Sequence, residues 1–170
     1  MELFALAKNP VPSGAVTGAF KGHRGVNLRF ARWEPTREPR RGTVCLFPGR
    51  GEFIEKYFEV VSDLRRRGFT VAAMDWRGQG GSDRLLMNPN KGHVRSFADF
   101  DKDLARFMTE IVLPACPPPY VALAHSMGGH ILLRNAVVPG TWFERMVLSA
   151  PMIAIAEKRL GVSPPCRPFD

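Results

Sequence analysis

The stretch Tyr120-Val-Ala-Leu-Ala-His-Ser-Met-Gly-Gly-His-Ile-Leu-Leu-Arg-Asn-Ala (120–136) decides the fold. Tyr120 to Ala124 is a nearly continuous apolar run, the pattern of a parallel strand buried on both faces. From Met127 the pattern turns helical and runs to Val138, where Pro139-Gly140 closes it. Moving outward, the same unit recurs. Val44-Cys-Leu-Phe (44–47) and Thr70-Val-Ala-Ala-Met (70–74) are further apolar runs, and Ile54, Phe58, Val61 and Leu64 mark a helix between them that Gly68 stops. Phe97, Phe100, Leu104, Phe107 and Ile111 mark the next helix, which Pro114 and the Pro117-Pro-Pro run are expected to end. Arg145-Met-Val-Leu-Ser (145–149) supplies one more strand. This alternation predicts the α/β class with a mostly parallel sheet. Ahead of it, Ala15–Phe20 and Asn27–Trp33 flank Gly22 and Gly25 as a leading antiparallel hairpin would. From Ala150 the pattern breaks down through Pro151 and Ser163-Pro-Pro-Cys-Arg-Pro, so residues 1–152 are expected to form one core and 153–170 the start of a new segment or a disordered tail.

Composition narrows the classes of function. With 45% hydrophobic residues in 170, the chain can bury one real core. Its net charge of +8, mostly an arginine excess, favours anionic surfaces by long-range attraction. Arg37, Arg40, Arg41 and Arg65 to Arg67 lie at element ends, where solvated charge is expected. No base-reading motif or basic stripe interleaved with aromatics is present, which argues against nucleic acid and leaves peripheral contact with an anionic membrane open. Cys45, Cys116 and Cys166 are an odd count at unrelated spacings, without the pattern of a disulfide framework or a metal site, and no cofactor motif is found. The start, Met-Glu-Leu-Phe-Ala-Leu-Ala-Lys, is a poor secretory signal, and no window approaches the roughly 18 apolar residues of a spanning helix. The expectation is a soluble, cytoplasmic chain; the sequence assigns no oligomeric state.

Ser126 sits between strand and helix in the arrangement small-x-Ser-x-Gly. A serine on so tight a turn is pushed out of the sheet, and small residues two before and two after it avoid a clash. Ala124 and Gly128 fill those places, Ala124 where glycine is usual. A Ser-x-Gly after a strand can be a turn and nothing more. Here the apolar strand, His125, Met127, Gly129 and the helical continuation occur together, which favours a nucleophile. The helix that follows points its positive end at the serine, where an oxyanion forms during acyl transfer. The loop Phe47-Pro-Gly-Arg-Gly-Glu (47–52) lies beside this turn in the expected layout, and the backbone N–H of Arg50 is expected to join that of Met127 as the oxyanion donors. A phosphate-cradling loop is the competing idea, but the Gly-Lys-Ser/Thr ending and the G-x-G-x-x-G spacing are missing. Met74-Asp-Trp-Arg-Gly-Gln-Gly-Gly-Ser-Asp-Arg (74–84) is read as structural support, and Asp75, which precedes the serine, is declined as a catalytic acid.

Pro48-Gly-Arg-Gly-Glu, Asp75-Trp-Arg-Gly-Gln-Gly-Gly-Ser, Gly92-His-Val, Ala124-His-Ser-Met-Gly-Gly and Leu148-Ser-Ala-Pro-Met occur in this order. From about Phe20 to Met152 the chain thereby resembles bacterial lysophospholipases of the monoacylglycerol lipase type, within the α/β-hydrolase superfamily. The resemblance implies an α/β-hydrolase fold, Ser126 as nucleophile, Arg50 and Met127 as oxyanion donors, and a lipid ester with one long acyl chain as substrate, either lysophospholipid or monoacylglycerol. It also implies a catalytic acid after a later strand and a histidine after the last one, with a helical cap between. The sequence ends about where that cap would begin, so truncation before the cap and the last strands is expected. None of His23, His93, His125 and His130 convincingly fills the role of general base, and the 170-residue chain alone is expected to be nearly inactive. The alternatives are a non-catalytic binding or scaffold protein of this fold, and an esterase or peptidase of the same superfamily.

Overall fold

The computed structural model describes residues 1–154; the reading of 153–170 as a new segment falls, from residue 155 on, outside them. Six strands form one sheet: β1 (Val16–Lys21), β2 (Asn27–Trp33), β3 (Thr43–Phe47), β4 (Thr70–Met74), β5 (Tyr120–His125) and β6 (Arg145–Ser149). Their spatial order is β1-β2-β4-β3-β5-β6. β2 is antiparallel to β1 and to β4, whereas β4, β3, β5 and β6 run parallel to one another. The expected hairpin and parallel sheet are both present.

Side chains alternate along β3 and β4 between two cores, as the period of two requires. Val44, Leu46, Val71 and Ala73 face a core built with Ile54, Phe58 and Val61, on the side of helix α1 (Phe58–Arg66). Cys45, Phe47, Ala72 and Met74 face the other, which contains Phe100, Leu104 and Phe107 of α2 (Ala98–Phe107) and Ile131 and Leu132 of α4 (Met127–Ala136). Every residue of β3 and β4 is buried, which is why these strands read as unbroken apolar runs.

Two sequence expectations need correction. Pro114 does not end its helix: α2 continues through a π-helical turn (Met108–Val112) into a short helical turn, α3 (Leu113–Ala115). Pro114 lies inside this continuous run, two residues past the π-helical turn, and the Cys116 N–H closes the segment on Val112 at 2.8 Å, so the run stops at Ala115, ahead of Pro117-Pro-Pro. Arg65, expected to be solvated, is buried on α1, and its Nε–H donates to the Glu34 carbonyl at 2.7 Å.

Candidate active site

β5 lies between β3 and β6, and the chain leaves it at His125 to start α4 two residues later. The intervening Ser126 has φ 49° and ψ −113°, a conformation that non-glycine residues adopt at a cost of order 1–3 kcal/mol. Three backbone hydrogen bonds hold it there. Its N–H donates to Ser149 at 3.1 Å, and its carbonyl accepts from His130 at 3.2 Å and Met152 at 2.9 Å. Small neighbours make room: a Cβ on Gly128 would lie 2.3 Å from the Phe47 carbonyl oxygen, and one on Gly129 would lie 2.9 Å from Pro151. Ala124, buried on β5, pairs in register with Phe47 and Leu148, and its methyl is accommodated in the core.

The turn after β3 abuts this serine; a Cβ on Gly49 would be 3.1 Å from that of Ser126. The turn runs from Gly49 to Glu52, closed by the Glu52 N–H on the Gly49 carbonyl at 3.3 Å, with Arg50 and Gly51 at its corners. Gly51 has φ 71°, which a side chain there would resist. Arg50 and Met127 thus sit on the two segments that flank Ser126: one at a turn corner, the other at the first position of α4.

Two side chains that sequence reasoning did not single out brace this turn. One oxygen of the Glu52 carboxylate accepts from the Gly49 N–H at 2.6 Å, the Tyr57 hydroxyl at 2.6 Å and His125 Nδ1 at 2.9 Å. Burial pushes the Glu52 carboxyl up, but the hydrogen bonds from Tyr57, His125 and Gly49 outweigh it and the net shift is downward. Burial and the Glu52 carboxylate both raise the Tyr57 phenol, which keeps it a donor. From the loop after β4, Gln79 Nε2 donates to the carbonyls of Gly49 (2.9 Å) and Glu52 (3.3 Å), while its Oε1 accepts from Gly51 N–H (3.0 Å). Trp76 adds a bond from its indole N–H to the Pro48 carbonyl at 2.9 Å.

That second loop is anchored in turn by buried charge. Arg29 Nε bonds Asp75 at 2.6 Å, and its two terminal nitrogens each reach a Glu55 oxygen at 2.7 Å. Asp75 also accepts from the N–H groups of Ile54 (2.9 Å) and Gly81 (2.8 Å). Burial raises the Asp75 carboxyl against the opposing effect of Arg29 and these amides. Its lone pairs are thereby committed to holding the loop. Arg77 similarly binds Asp103 through Nε at 2.6 Å, with Asp99 at 3.5 Å.

The histidines lie elsewhere or are engaged. His130 is buried on α4, its Nδ1 bonded to the Met152 carbonyl at 2.8 Å and its ring edge-on to Phe97. His23 lies in the hairpin connection, 3.7 Å from Asp99. His93 is exposed, with its backbone against Gly78. His125 faces Glu52. Among the described residues no imidazole hydrogen-bonds the Ser126 hydroxyl, and no helix is long and apolar enough to cross a membrane.

The chain is 41% identical over 140 residues to lysophospholipase L2 of Escherichia coli strain K12, covering 80% of this chain and 39% of that protein. Against the monoacylglycerol lipase of Mycolicibacterium smegmatis, identity is 34% over 148 residues, covering 86% of this chain and 49% of the relative. The chain therefore spans two fifths to one half of the length of these relatives. A crystallised carboxyl esterase from Bacillus coagulans superposes with a TM-score of 0.65 at 25% identity, over 81% of this chain and 44% of that one. The sequence profile of the serine aminopeptidase S33 family matches residues 38–168, most of the chain, including Ser126 and the Gly49–Glu52 turn. A strained serine between a buried strand and a helix, beside a braced turn in a sheet of this order, is thus carried by a member of the serine aminopeptidase S33 family, with an α/β-hydrolase fold.

Proposed function

We propose that this chain carries the nucleophile and oxyanion site of a hydrolase for carboxylic esters of single-acyl-chain lipids, lysophospholipid or monoacylglycerol. The observation that carries this reading is the strained Ser126 beside the doubly braced Gly49–Glu52 turn. Identity to a lysophospholipase and a monoacylglycerol lipase supports the ester class. In this mechanism Ser126 Oγ attacks the ester carbonyl, and the developing oxyanion accepts the backbone N–H groups of Arg50 and Met127. The acyl-enzyme that forms is released by water. Glu52 and Gln79 hold the Arg50 donor in place. The net charge of +8 supports contact with anionic lipid at a membrane surface.

None of the four histidines is assigned as general base. Loss of that group costs on the order of a million-fold in turnover, so the 170-residue chain alone is expected to be nearly inactive. A fluorophosphonate probe tests both halves of the proposal. Weak labelling of Ser126 in this chain is expected, with strong labelling in the natural reading frame read to its stop codon. Strong labelling of the 170-residue chain would overturn the inactivity, and none in the full frame would overturn the hydrolase reading. The family description favours a second reading, an aminopeptidase acting through the same serine. Cleavage of aminoacyl p-nitroanilides in preference to lysophosphatidylcholine would select it.

A further inference from the structure

A cavity of about 790 Å³ opens beside the Arg50–Gly51 corner of the oxyanion turn, and Ser126 is not among its walls. Its volume lies within the roughly 300–1,000 Å³ of small-molecule sites. Phe4, Leu6 and Phe53 supply apolar wall, with relative exposures of 69%, 71% and 37%. Arg50, Lys56 and Arg84 supply positive charge.

That charge is poorly compensated. Glu55 also lines the cavity, but both of its oxygens are taken by Arg29 at 2.7 Å. No carboxylate of the described residues pairs with Arg50 or Arg84; Arg84 bonds only the carbonyls of Gly80, Ser82 and Pro89. Lys56 lies 4.0 Å from Glu52, whose other oxygen already holds three donors, and 5.7 Å from the centre of the Phe53 ring. Three cations against an apolar wall match a ligand with an anionic head and an apolar stem, since neither component alone uses both surfaces.

We propose that this cavity binds the anionic head of a single-chain amphiphile, with the head on Arg50, Lys56 and Arg84 and the adjoining methylenes on Phe4, Leu6 and Phe53. Two molecules share that chemistry: a lysophospholipid, through its phosphodiester, and a free fatty acid, through its carboxylate. The cavity and Ser126 both abut the Gly49–Glu52 turn, the cavity at Arg50 and Gly51 and Ser126 at Gly49. The site requires no turnover and stands apart from the hydrolase reading.

Isothermal titration of the 170-residue chain with dodecyl phosphate, below its micelle concentration, tests it. Saturable binding of one molecule is expected, weakened about tenfold or more in the double variant R50Q/K56Q, with circular dichroism unchanged because both side chains are exposed. Neutral dodecyl maltoside and inorganic phosphate are expected to bind at least tenfold more weakly than dodecyl phosphate. S126A is expected to bind like the parent, which separates this site from catalysis. Tighter binding of dodecanoate than of dodecylphosphocholine would assign the head to a fatty acid, and the reverse to a phospholipid; either supports the site. Unsaturable binding, equal binding of the maltoside, or an undiminished R50Q/K56Q affinity would overturn it.

Discussion

A single carboxylate oxygen of Glu52 joins His125, the residue before Ser126, to Gly49, the first residue of the Gly49–Glu52 turn, at 2.9 and 2.6 Å. Strand β5 and the turn are therefore fixed to each other by one side chain. Glu52→Ala leaves the Gly49 N–H and the Tyr57 hydroxyl without that acceptor and is expected to lower stability by about 1–3 kcal/mol in urea unfolding. Glu52→Gln, whose amide oxygen still accepts, is expected to recover more than half of the loss. Equal losses in both variants would show that hydrogen bonding to this position contributes nothing.

Gln79 grips the turn from the opposite side with three hydrogen bonds to its backbone. Gln79→Ala frees the Arg50 corner to drift. In the full reading frame, the expected effect on lysophosphatidylcholine hydrolysis is a ten- to hundredfold fall in kcat with KM within about threefold, somewhat less than deleting an oxyanion donor outright. A change confined to KM would place Gln79 in substrate binding instead.

Gly128→Ala puts a methyl 2.3 Å from the Phe47 carbonyl oxygen and 2.7 Å from that of Pro48, both backbone atoms of the neighbouring segment. The start of α4 and the Phe47–Pro48 segment must then separate. A loss of about 1–3 kcal/mol in stability is expected, together with loss of fluorophosphonate labelling in the full frame. A variant that labels like the parent would count against close packing at the elbow.

Asp75→Ala removes one partner of a buried arginine and leaves Arg29 with the Glu55 carboxylate and the Glu2 carbonyl. Breaking such a pair costs about 3–5 kcal/mol, so the variant is expected to melt well below the parent in a calorimeter. Catalysis enters only through the loop that Asp75 anchors, and any surviving folded fraction in the full frame is expected to remain labelled.

The acid limb of stability follows from the direction of the carboxyl shifts. Glu52 and Glu55 are held below the usual glutamate range, because hydrogen bonds outweigh the upward effect of burial. Their contribution is complete above the unfolded value of about 4.3 and is lost as pH falls through the lower folded values. Asp75, raised by burial, acts in the opposite sense: its destabilising ionisation disappears as pH falls through its folded value. The melting temperature is expected to drop below about pH 4, and to drop less steeply in Glu52→Gln. Parallel curves would exclude Glu52 from the linkage.

The sequence was informative where the determining contacts are local. Val44 and Leu46 face one core and Cys45 and Phe47 the other, so burial on both sides left an apolar run that could be read directly. Ser126 was legible for a similar reason: strand, serine, glycine and helix are contiguous. Asp75 could be set aside as a catalytic acid from its place in the order of strands, and its bonds to Arg29, Ile54 and Gly81 supply the structural role. The braces were not legible. Glu52 and His125 are 73 residues apart, and Gln79 is 30 from Gly49, so only the folded sheet brings them together. Arg65 reads as solvated charge at an element end and Arg29 carries no signal of its own, although both are buried. Pro114 was misleading because proline's penalty depends on its position within a turn, which a π-helical insertion upstream had reset.

β6 has a sheet neighbour on one side only among the described residues, and Val147 at its centre is 53% exposed. Among those residues no strand pairs with its outer edge, a position where backbone amides and carbonyls can take up a further extended segment. Two copies meeting there would continue the sheet across a molecular boundary. For the 170-residue chain studied alone, concentration-dependent self-association through this edge is expected in sedimentation measurements, and Val147→Lys is expected to reduce it.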